Sequence, residues 1–591
     1  MKSLFVYESE YFKTIPDVEN YLKKYGGSWC FENWENVSSV EINDFWHSNG
    51  ILSEDITYIQ SLVRKIINEL HKELNANYNH TLSLEHFTYL YYSWLFYIVF
   101  KLYGNWKMLE VCNKVDLSYN FDIDYTEVLA ENLCDSNMIY YFSKWNSFTI
   151  GEILRFRNIE TIKLEWVDPE SKSIKRGIKS HLINVYTFLE LRLLKFRKKF
   201  QKKKWVFYYF SKSYDLLPKF QKNRSDTRYV QLIYSKFKKE MRLVSVDTQR
   251  RAHSTLNFQF DNQFEHFLSS FIYKIIPVSL MEGAHLIQKF SLENFFRSAP
   301  EAVLYSDFLN NELLLYYLKN IPAENIYVYQ HGGGFGLIAT NVTEIVEKFY
   351  CSRYVTWGWR FDQIDLPFIG PLPSHPKKKI APVKREGVCI MLYDSPPYIP
   401  IFQPTIYSSK FSRYLRLIND FLRETRLFDD LTLRLYPRND SKVDLVRLFP
   451  EGINIDDSLL IDQLYSKYKL YIYTYNSTGF LELWNLNIPC ILFIAEENWF
   501  TDDFAIKYYK SIKQAGLLFS DSVSLNEFLD SIQENIEVWW KSESIQDNVK
   551  SFLKQYSDSP LIDEPSFITR KKYDSQELER MERLFDMGIS K

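Results

Sequence analysis

The sequence predicts an α/β fold with two Rossmann-like domains and a helical elaboration at the N-terminus. From about residue 270 onward, short apolar runs alternate with helical segments, a pattern typical of parallel sheets. The alternation stops at residues 366–387, a stretch with five prolines, and then starts again. A chain of 591 residues is also too long for one hydrophobic core. These observations together favour two linked α/β units.

The composition shifts indicate where the domains begin and end. Residues 1–365 are predicted to form the first α/β domain with helical insertions, and residues 366–386 a proline-rich linker. Residues 387–564 are predicted to form the second, Rossmann-like domain. Residues 565–591 are expected to form a helical tail that packs back on the first domain.

Helical periodicity dominates the first part of the chain. Apolar residues recur every three or four positions over 52–75, behind a Ser53 cap. A second helix is predicted over 83–103, and its apolar-aromatic stretch 87–104 has roughly the length of a short membrane span. We interpret that stretch as a buried helix, because tyrosines and a serine interrupt it. A transmembrane helix is the alternative.

Charge and cysteine usage limit the function classes. With 72 basic and 74 acidic residues the formal net charge is -2, so no nucleic-acid partner is expected. Six cysteines without a CxxC pair, and a first segment too polar for a signal peptide, predict a cytoplasmic protein. The basic segment 192–204, interleaved with aromatic residues, predicts peripheral contact with an anionic membrane. A solvated helix face is the alternative.

Strand predictions follow the alternating pattern in chain order. The apolar run at 272–276 is read as β-like and is followed by a helix, and further strands are predicted at 325–329 and 354–359. In the second domain we predict strands at 388–394, 431–437, 469–475 and 489–495. Helices are predicted over 408–424 and from about 477 to 487.

The stretch YQHGGGFG, residues 329–336, is the most informative motif, because the chain has only 18 glycines. Three adjacent glycines lose packing and backbone entropy, so we expect close backbone approach to another group. The amides of Gly332, Gly333 and Gly334 are predicted to bind an anion, and His331 to act as a base or phosphate ligand. The alternative is a tight turn with a structural histidine.

Two further strand ends carry groups suited to phosphate. Arg434 and Arg438 flank Pro437, so that one or both guanidinium groups are predicted to bind phosphate oxygens. Surface arginines beside a proline turn are the alternative.

The second of these strand ends begins a helix. There, Asn476, Ser477 and Thr478 are predicted to cap the helix while its free amides face a phosphate. Glu482, one turn into that helix, is predicted to accept hydrogen bonds from ribose hydroxyls. The alternative is an ordinary helix cap followed by a solvated acid.

Other candidate residues are acidic or aromatic. Glu282, which follows an apolar run and begins a helix beside His285, is predicted as a catalytic base and so as an alternative to His331; a helix-capping acid is the other interpretation. Trp29, Asp44 and His47 are predicted to line the acceptor side, or else to serve packing and turn formation. The chain has no GxSxG, HExxH, GxGxxG or P-loop motif, so neither a metal site nor a bound cofactor is predicted.

An ordered series of motifs over about residues 25 to 525 resembles a family of transferases from loci for O-antigen and other surface polysaccharides, first catalogued in spirochaete genomes. The series consists of GGSWCF, NDFWHS, LVRKIINELHKELN, YYSWLFYIVFKLYGNW, PVSLMEG, YQHGGGFG, RYVTWGW, RLYP, YNSTGFLELWNLNIP and ENWFTDDFAIKYYKSIKQAGLLF. These motifs are similar in turn to those of GT-B glycosyltransferases, including enzymes that use CMP-activated acidic sugars. The resemblance implies that Pro437 with Arg434 or Arg438, and Ser477 with Thr478, hold the donor phosphate. Arg438 stands where histidine is expected, and Gly479 where a second threonine is expected.

The sequence therefore predicts a metal-independent glycosyltransferase with a GT-B-like fold. The second domain would bind a nucleotide sugar, and the first would hold a glycan or lipid-linked glycan acceptor. One alternative is a transferase of a polyol phosphate from a CDP-glycerol-type donor. The other is a non-catalytic scaffold that binds a glycan or nucleotide.

Overall fold

The computed structural model describes most of the two predicted α/β units. The described residues are 3–4, 49–78, 82–111, 117–139, 143–164, 206–209, 224–294, 302–305, 309–337, 341–361, 364–367, 385–393, 408–427, 430–435, 449–456, 464–496 and 503–557.

A small sheet and four helices open the chain. Strands β1 (Ser3–Leu4), β2 (Leu117–Phe121) and β3 (Glu160–Leu164) form a parallel sheet in that order. The helices are α1 (Asn49–Tyr78), α2 (Leu84–Val111), α3 (Leu133–Ile139) and α4 (Ser143–Phe156). Both helices predicted in this part of the chain are confirmed, whereas β2 and β3 had no counterpart in the sequence analysis.

Helix α2 is buried along most of its length. Large apolar residues surround the helix axis, and Trp94 and Leu95 are at most 1% exposed, so α2 packs on several sides against neighbouring elements. The expectation of a buried helix is therefore confirmed. None of the helices in the described ranges is both long enough and apolar enough to cross a bilayer.

The first large sheet has five parallel strands in sequential order. They are β4 (Val206–Tyr209), β5 (Ala302–Tyr305), β6 (Ile326–Tyr329), β7 (Arg353–Thr356) and β8 (Asp365–Pro367). The helices of this region are α5 (Arg224–Met241), α6 (Thr248–His253), α7 (Gln263–Ile275), α8 (Ala284–Lys289), α9 (Glu312–Leu318) and α10 (Val342–Phe349). Strand β8 extends two residues into the range predicted as the linker.

The apolar run at 272–276 is the end of a helix, so its reading as β-like was wrong. Asn262 caps α7 by accepting a hydrogen bond from the Glu265 amide. From there the buried residues Phe264, Phe267 and Phe271 follow at helical spacing. The run at 272–276 covers only the last turn of α7, and a single turn is too short to show the period of a helix.

The second large sheet has six parallel strands in the Rossmann order. In chain order they are β9 (Val388–Met391), β10 (Leu431–Arg434), β11 (Asn454–Asp456), β12 (Leu470–Tyr473), β13 (Cys490–Phe493) and β14 (Leu518–Phe519), and across the sheet they run β11-β10-β9-β12-β13-β14. The helices are α11 (Ser408–Glu424), α12 (Thr478–Asn485), α13 (Asp503–Gln514), α14 (Ser522–Ile532), α15 (Ile536–Trp540) and α16 (Glu543–Tyr556). The predicted α/β fold class is confirmed, with two parallel sheets of which the second has the predicted Rossmann order.

Helix α16 connects the two halves of the molecule, of which the first contains the sheet β4–β8 and the second the sheet β9–β14. It packs on α12 and α13, and its last turn reaches the loop after β7 in the first half. There Gly358 has a φ of +129°, and a methyl group at this position would lie 3.0 Å from the carbonyl oxygen of Gln555. The chain thus returns to the first half through α16, whereas the predicted tail at 565–591 lies outside the described residues.

The docking of α16 generates a first prediction. Phe552 is 1% exposed, and its ring lies 5.3 Å from that of Trp484 and 5.0 Å from that of Tyr556. We expect Phe552→Ala to lower the free energy of unfolding by about 3–5 kcal/mol, because it leaves a cavity between aromatic rings. Denaturant unfolding measures the change. Val538→Ala, at a side chain that is 69% exposed on the neighbouring helix, is the control and should change it by less than about 0.5 kcal/mol. Equal effects of both substitutions would contradict this account of the packing.

Candidate functional site

The glycine loop after β6 meets the start of α12 from the other half of the molecule. The amide of Gly333 donates a hydrogen bond to the hydroxyl oxygen of Thr478, at 2.9 Å. A methyl group at Gly333 would lie 2.7 Å from the Cα of Thr478 and 2.8 Å from its amide nitrogen. Only glycine fits this approach. The group that the glycine loop approaches closely is therefore the start of α12.

The start of α12 has the geometry of a capped helix. Ser477 has extended backbone angles, and its hydroxyl accepts a hydrogen bond from the amide of Gly479 at 3.2 Å. Gly479 lies against the hydroxyl of Tyr473, where a methyl group would overlap it. A second threonine, which the family resemblance leads one to expect, does not fit at this position.

Asn476 directly precedes the cap, Glu482 lies within α12, and the two residues are 6% and 7% exposed. The hydroxyl of Tyr509 donates to the Asn476 carbonyl oxygen at 2.6 Å. The hydroxyl of Tyr465 donates to Glu482 Oε2 at 2.8 Å. These bonds support the helix from within the second half, so the structure accounts for both residues without a ligand.

Arg434 lies inside the second sheet. It is 5% exposed, and its guanidinium donates to the carbonyl oxygen of Asp456 at 3.0 Å, with the Asp456 carboxylate at 3.7 Å. These contacts tie β10 to β11 and give Arg434 a structural partner. The other two residues of the predicted phosphate clamp, Pro437 and Arg438, lie outside the described residues.

The side chain of Gln330 links the glycine loop to the loop after β7 by hydrogen bonds. Its amide group donates to the carbonyl oxygen of Gly332 at 2.7 Å, and its carbonyl oxygen accepts from the Trp357 amide and the Trp359 indole, each at 2.9 Å. The side chain is 1% exposed, so its hydrogen bonds hold the loop after β6 to the loop after β7. The sequence analysis gave Gln330 no role, since nothing in a lone glutamine before a histidine indicates one.

His331 stands at the base of the glycine loop and is partly exposed. Its side chain is 22% exposed, and its Nδ1 lies 3.2 Å from Oε1 of Glu347, which is completely buried. The distance is that of an ion pair when the imidazole is protonated, without the alignment of a linear hydrogen bond. The ring of Phe335 packs edge-on at 4.7 Å between centroids. Of the residues predicted to act on protons, His331 is the one that the structure places beside the glycine loop.

A second buried acid on α10 holds the end of the loop. Glu344 accepts a hydrogen bond from the Gly336 amide at 3.0 Å, and Lys348 bridges Glu344 and Asp365 at 3.0 and 2.9 Å. Burial raises the pKa of Glu344 to about 7, although the nearby Lys348 acts to lower it. Helix α10 therefore carries charged groups that the fold keeps away from water.

Glu282 lies in a buried ion pair. Arg251, which is completely buried, donates from Nε to Glu282 Oε1 at 2.7 Å and from Nη2 to Oε2 at 2.5 Å. The amide of Asp247 also donates to Oε1, at 3.2 Å. With both oxygens engaged, Glu282 has a structural role, and its carboxylate is not available as the base that the sequence analysis expected.

The remaining predicted site residues cannot be placed. Trp29, Asp44 and His47, and the basic segment 192–204, lie outside the described residues. Within the described ranges, no group of three or more histidine, cysteine or acidic side chains is arranged to hold a metal ion.

Comparison with known families gives one match that covers most of the chain. The model described as "LIC12162 family transferase" matches residues 22–560, a range that includes both large sheets and the glycine loop. No curated protein shows significant similarity to the chain.

Three solved glycosyltransferase structures are similar to the chain, each with 10% sequence identity. SnogD from Streptomyces nogalater aligns over 61% of this chain and 96% of its own, with a TM-score of 0.30. The calicheamicin glycosyltransferase CalG4 aligns over 66% and 99%, with a TM-score of 0.27. The spinosyn rhamnosyltransferase SpnG aligns over 75% and 97%, with a TM-score of 0.26. Scores this low carry no argument, and the fold assignment rests on the sheets themselves.

The buried pair at Glu282 generates a prediction. Glu282→Gln leaves the buried Arg251 charge without a counter-ion, and we expect the free energy of unfolding to fall by about 3–5 kcal/mol. Denaturant unfolding measures the loss. Glu537→Gln, in an exposed pair with Lys541, is the control and should leave the unfolding midpoint unchanged. If Glu282→Gln kept its stability but lost transfer activity, the structural assignment would be wrong.

Glu344 generates a prediction about pH. Its pKa rises from 4.5 to about 7 on folding, so the folded chain binds this proton more tightly than the unfolded chain. The resulting stability is fully present below the unfolded value and is lost as pH rises through the folded value. Relative to Glu344→Gln, the wild-type chain should therefore lose stability between pH 4.5 and about 7, by up to about 1.4 kcal/mol per pH unit. Denaturant midpoints across this range test it, and a difference that grows in the opposite direction would refute it.

Proposed function

Because the chain belongs to the LIC12162 family of transferases, we propose that it transfers a sugar from a nucleotide-activated donor to a surface glycan such as O-antigen or capsule. One observation carries the proposal. The glycine loop of the first sheet and the capped start of α12 in the second meet through the Gly333 amide and the Thr478 hydroxyl, at 2.9 Å. Both lie at carboxyl ends of parallel strands, the edge at which open α/β sheets bind their ligands.

The donor nucleotide belongs to the second half of the molecule in this proposal. A sheet in the Rossmann order supports nucleotide binding at the crevice where the strand order reverses, beside β9 and β12. Helix α12 begins directly after β12, so its first amides and its positive dipole end are suited to the donor phosphate. The resemblance to enzymes of CMP-activated acidic sugars favours CMP as the nucleotide.

The first half contributes main-chain donors to the same phosphate. The amides of Gly332, Gly333 and Gly334 lie in a loop that Gln330 holds rigid. Without a ligand, the Thr478 hydroxyl accepts the Gly333 hydrogen bond. In the donor complex a phosphate oxygen would accept such bonds from both sides. A site between two domains suits a reaction in which donor and acceptor are held by different parts of the chain.

The transfer step follows from these groups. An oxygen of the acceptor hydroxyl forms a bond to the anomeric carbon of the donor while the bond from that carbon to the phosphate oxygen breaks. The electron pair of the broken bond leaves with the nucleotide, and His331 takes up the hydroxyl proton. Main-chain amides and the start of α12 stabilise the charge that develops on the departing phosphate, so the proposal requires no metal ion.

The acceptor is assigned to the first domain by the same reasoning. A lipid-linked glycan would lie at a membrane surface, and the basic segment 192–204 is the part of the chain with the charge for such contact. Peripheral membrane contact and the acceptor-side residues Trp29, Asp44 and His47 therefore remain part of the proposal.

A donor screen tests the proposed function. The full chain is incubated with CMP-, CDP-, UDP- and GDP-linked sugars and with CDP-glycerol, and released nucleotides and products are measured by mass spectrometry. We expect release of a nucleotide from one sugar donor and a mass increase of the acceptor by one sugar. Use of CDP-glycerol instead would make the protein a polyol-phosphate transferase. If calorimetry also showed no binding of any of these nucleotides, the scaffold alternative would replace the transferase proposal.

The interdomain contact generates a prediction about activity. Gly333→Ala places a methyl group against the Thr478 backbone and forces the glycine loop and α12 apart. Because displacing groups of a catalytic site by about 1 Å can cost on the order of 10²-fold in rate, we expect a loss of that size in kcat/KM. The measurement is the initial rate of nucleotide release with the donor that the screen identifies.

A matched control separates this effect from the loss of a glycine as such. Gly452 has a φ of +88°, and no other atom lies within 4 Å of a methyl group placed there. Gly452→Ala should therefore lower stability modestly and leave kcat/KM near the wild-type value. Full activity in Gly333→Ala would show that the contact between the two halves is not part of the site.

A further inference from the structure

Glu347 is a buried carboxylate directly behind His331. It lies on α10, 16 residues along the chain from His331, and its side chain is completely buried. No motif of the sequence includes it. A carboxylate rarely lies away from water without a partner that neutralises or binds it, so its contacts indicate its role.

Each oxygen of Glu347 faces one neighbour. Oε1 lies 3.2 Å from His331 Nδ1, and Oε2 accepts a hydrogen bond from the hydroxyl of Tyr354 at 2.9 Å. Tyr354 is on β7 and completely buried, and burial together with Glu347 raises its pKa, so it remains a hydrogen-bond donor. Phe335 packs against the edge of the imidazole. The carboxylate is thus held from behind by a tyrosine and faces the ring of a partly exposed histidine.

The surrounding charges leave the imidazole as the ionic partner of Glu347. On α10, Lys348 pairs with Glu344 at 3.0 Å, and it pairs with Asp365 on β8 at 2.9 Å. Tyr354, on β7, is the other titratable group that contacts Glu347. Among the described residues, the ion-pair partner of Glu347 is therefore His331.

This arrangement determines which ring nitrogen can exchange a proton with substrate. With Nδ1 facing the carboxylate, the neutral imidazole keeps its proton on Nδ1, and Nε2 has the lone pair that accepts a proton. The buried negative charge then stabilises the imidazolium that forms. A carboxylate in this position both orients the ring and increases its affinity for a proton.

We propose that Glu347 is a positioning residue that fixes the orientation and tautomer of His331 and makes it a stronger base. The catalytic consequence rests on the proposed function, in which His331 accepts the proton of the acceptor hydroxyl at Nε2. The pairing of Glu347 with His331 does not depend on that function, and so the two can be tested separately.

The pairing is tested by NMR titration of the imidazole of His331 in the full chain. Histidine carries a ¹³C label, and the signal of His331 is the one of ten that disappears in His331→Gln. In the wild-type chain we expect His331 to titrate above about 6.5, the ordinary value for histidine. Glu347→Gln should lower the pKa of His331 by about one unit or more, and Glu347→Asp, which keeps the charge, should restore part of the difference.

Glu312 provides the matched control. It is also completely buried and also accepts a hydrogen bond from a tyrosine hydroxyl, that of Tyr234, at 2.7 Å. It also accepts a hydrogen bond from the amide of Leu133, so Glu312→Gln removes a buried carboxylate of the same kind whose hydrogen bonds go to Tyr234 and Leu133. We expect the pKa of His331 to be unchanged in this variant. A wild-type His331 that titrates at or below 6.5, or an equal shift in both Gln variants, would overturn the pairing.

Kinetics tests the catalytic consequence. Since neutral His331 is the base, kcat should rise with pH through the pKa of the enzyme–substrate complex. In Glu347→Gln this rise should move to lower pH by the amount seen in NMR, with kcat lower on the order of 10²-fold and KM little changed. A fall in kcat without a displaced pH profile would contradict the positioning role. If no donor were turned over, the proposed function would fail, while the NMR titration would still decide the pairing.

Discussion

The close approach of Gly333 to Thr478 is the constraint on which the rest of the site depends. It brings the carboxyl edges of two parallel sheets together at one point, where a residue larger than glycine would contact backbone atoms below 3 Å. The neighbouring sequence serves this contact. Gln330 anchors the loop to the tryptophans after β7, and Gly479 lets the helix start lie against Tyr473. A site that needs main-chain donors from two domains requires this kind of rigid support on each side.

Buried charge is used in two different ways in the first domain. Arg251 and Glu282 form a bidentate pair with almost no exposure, a geometry that fixes the chain and engages both partners fully. Glu347 is as deeply buried, yet its partner His331 is 22% exposed and lies beside the glycine loop. A carboxylate that faces a titratable, partly exposed ring can influence proton transfer, whereas one locked to a guanidinium cannot. The partner, and not the burial, therefore separates the two acids, although both are glutamates near helices.

Much of the fold could be predicted from periodicity, because local patterns specify local structure. The segment 408–424 reads as a helix in the sequence and forms α11 over the same residues. Strands flanked by glycine loops or prolines, such as β6 and β9, were also found. Strands β2 and β3 of the small N-terminal sheet were missed, because Ser3–Leu4 pairs with a strand that begins at Leu117, and a pairing over more than 100 residues has no local pattern.

The candidate site was predictable only where the sequence has an unusual local requirement. Three glycines after His331 indicate close approach, and the structure shows what approaches. The partners of Arg434, Glu282 and His331 could not be predicted, since each is distant in sequence and of a common residue type. A charged residue at a strand end looks the same in sequence whether it pairs within the fold or awaits a ligand. Tertiary contacts alone make that distinction.

Hydrogen–deuterium exchange of the full chain, with and without the nucleotide that it binds, tests the shared cleft most directly. Amides that donate to a bound phosphate exchange more slowly, because the nucleotide must dissociate before their hydrogens can exchange with solvent. The account predicts that residues 331–337 and 477–485 become protected together, over the same range of nucleotide concentration. Protection of one segment without the other, or protection confined to a different part of the chain, would contradict it.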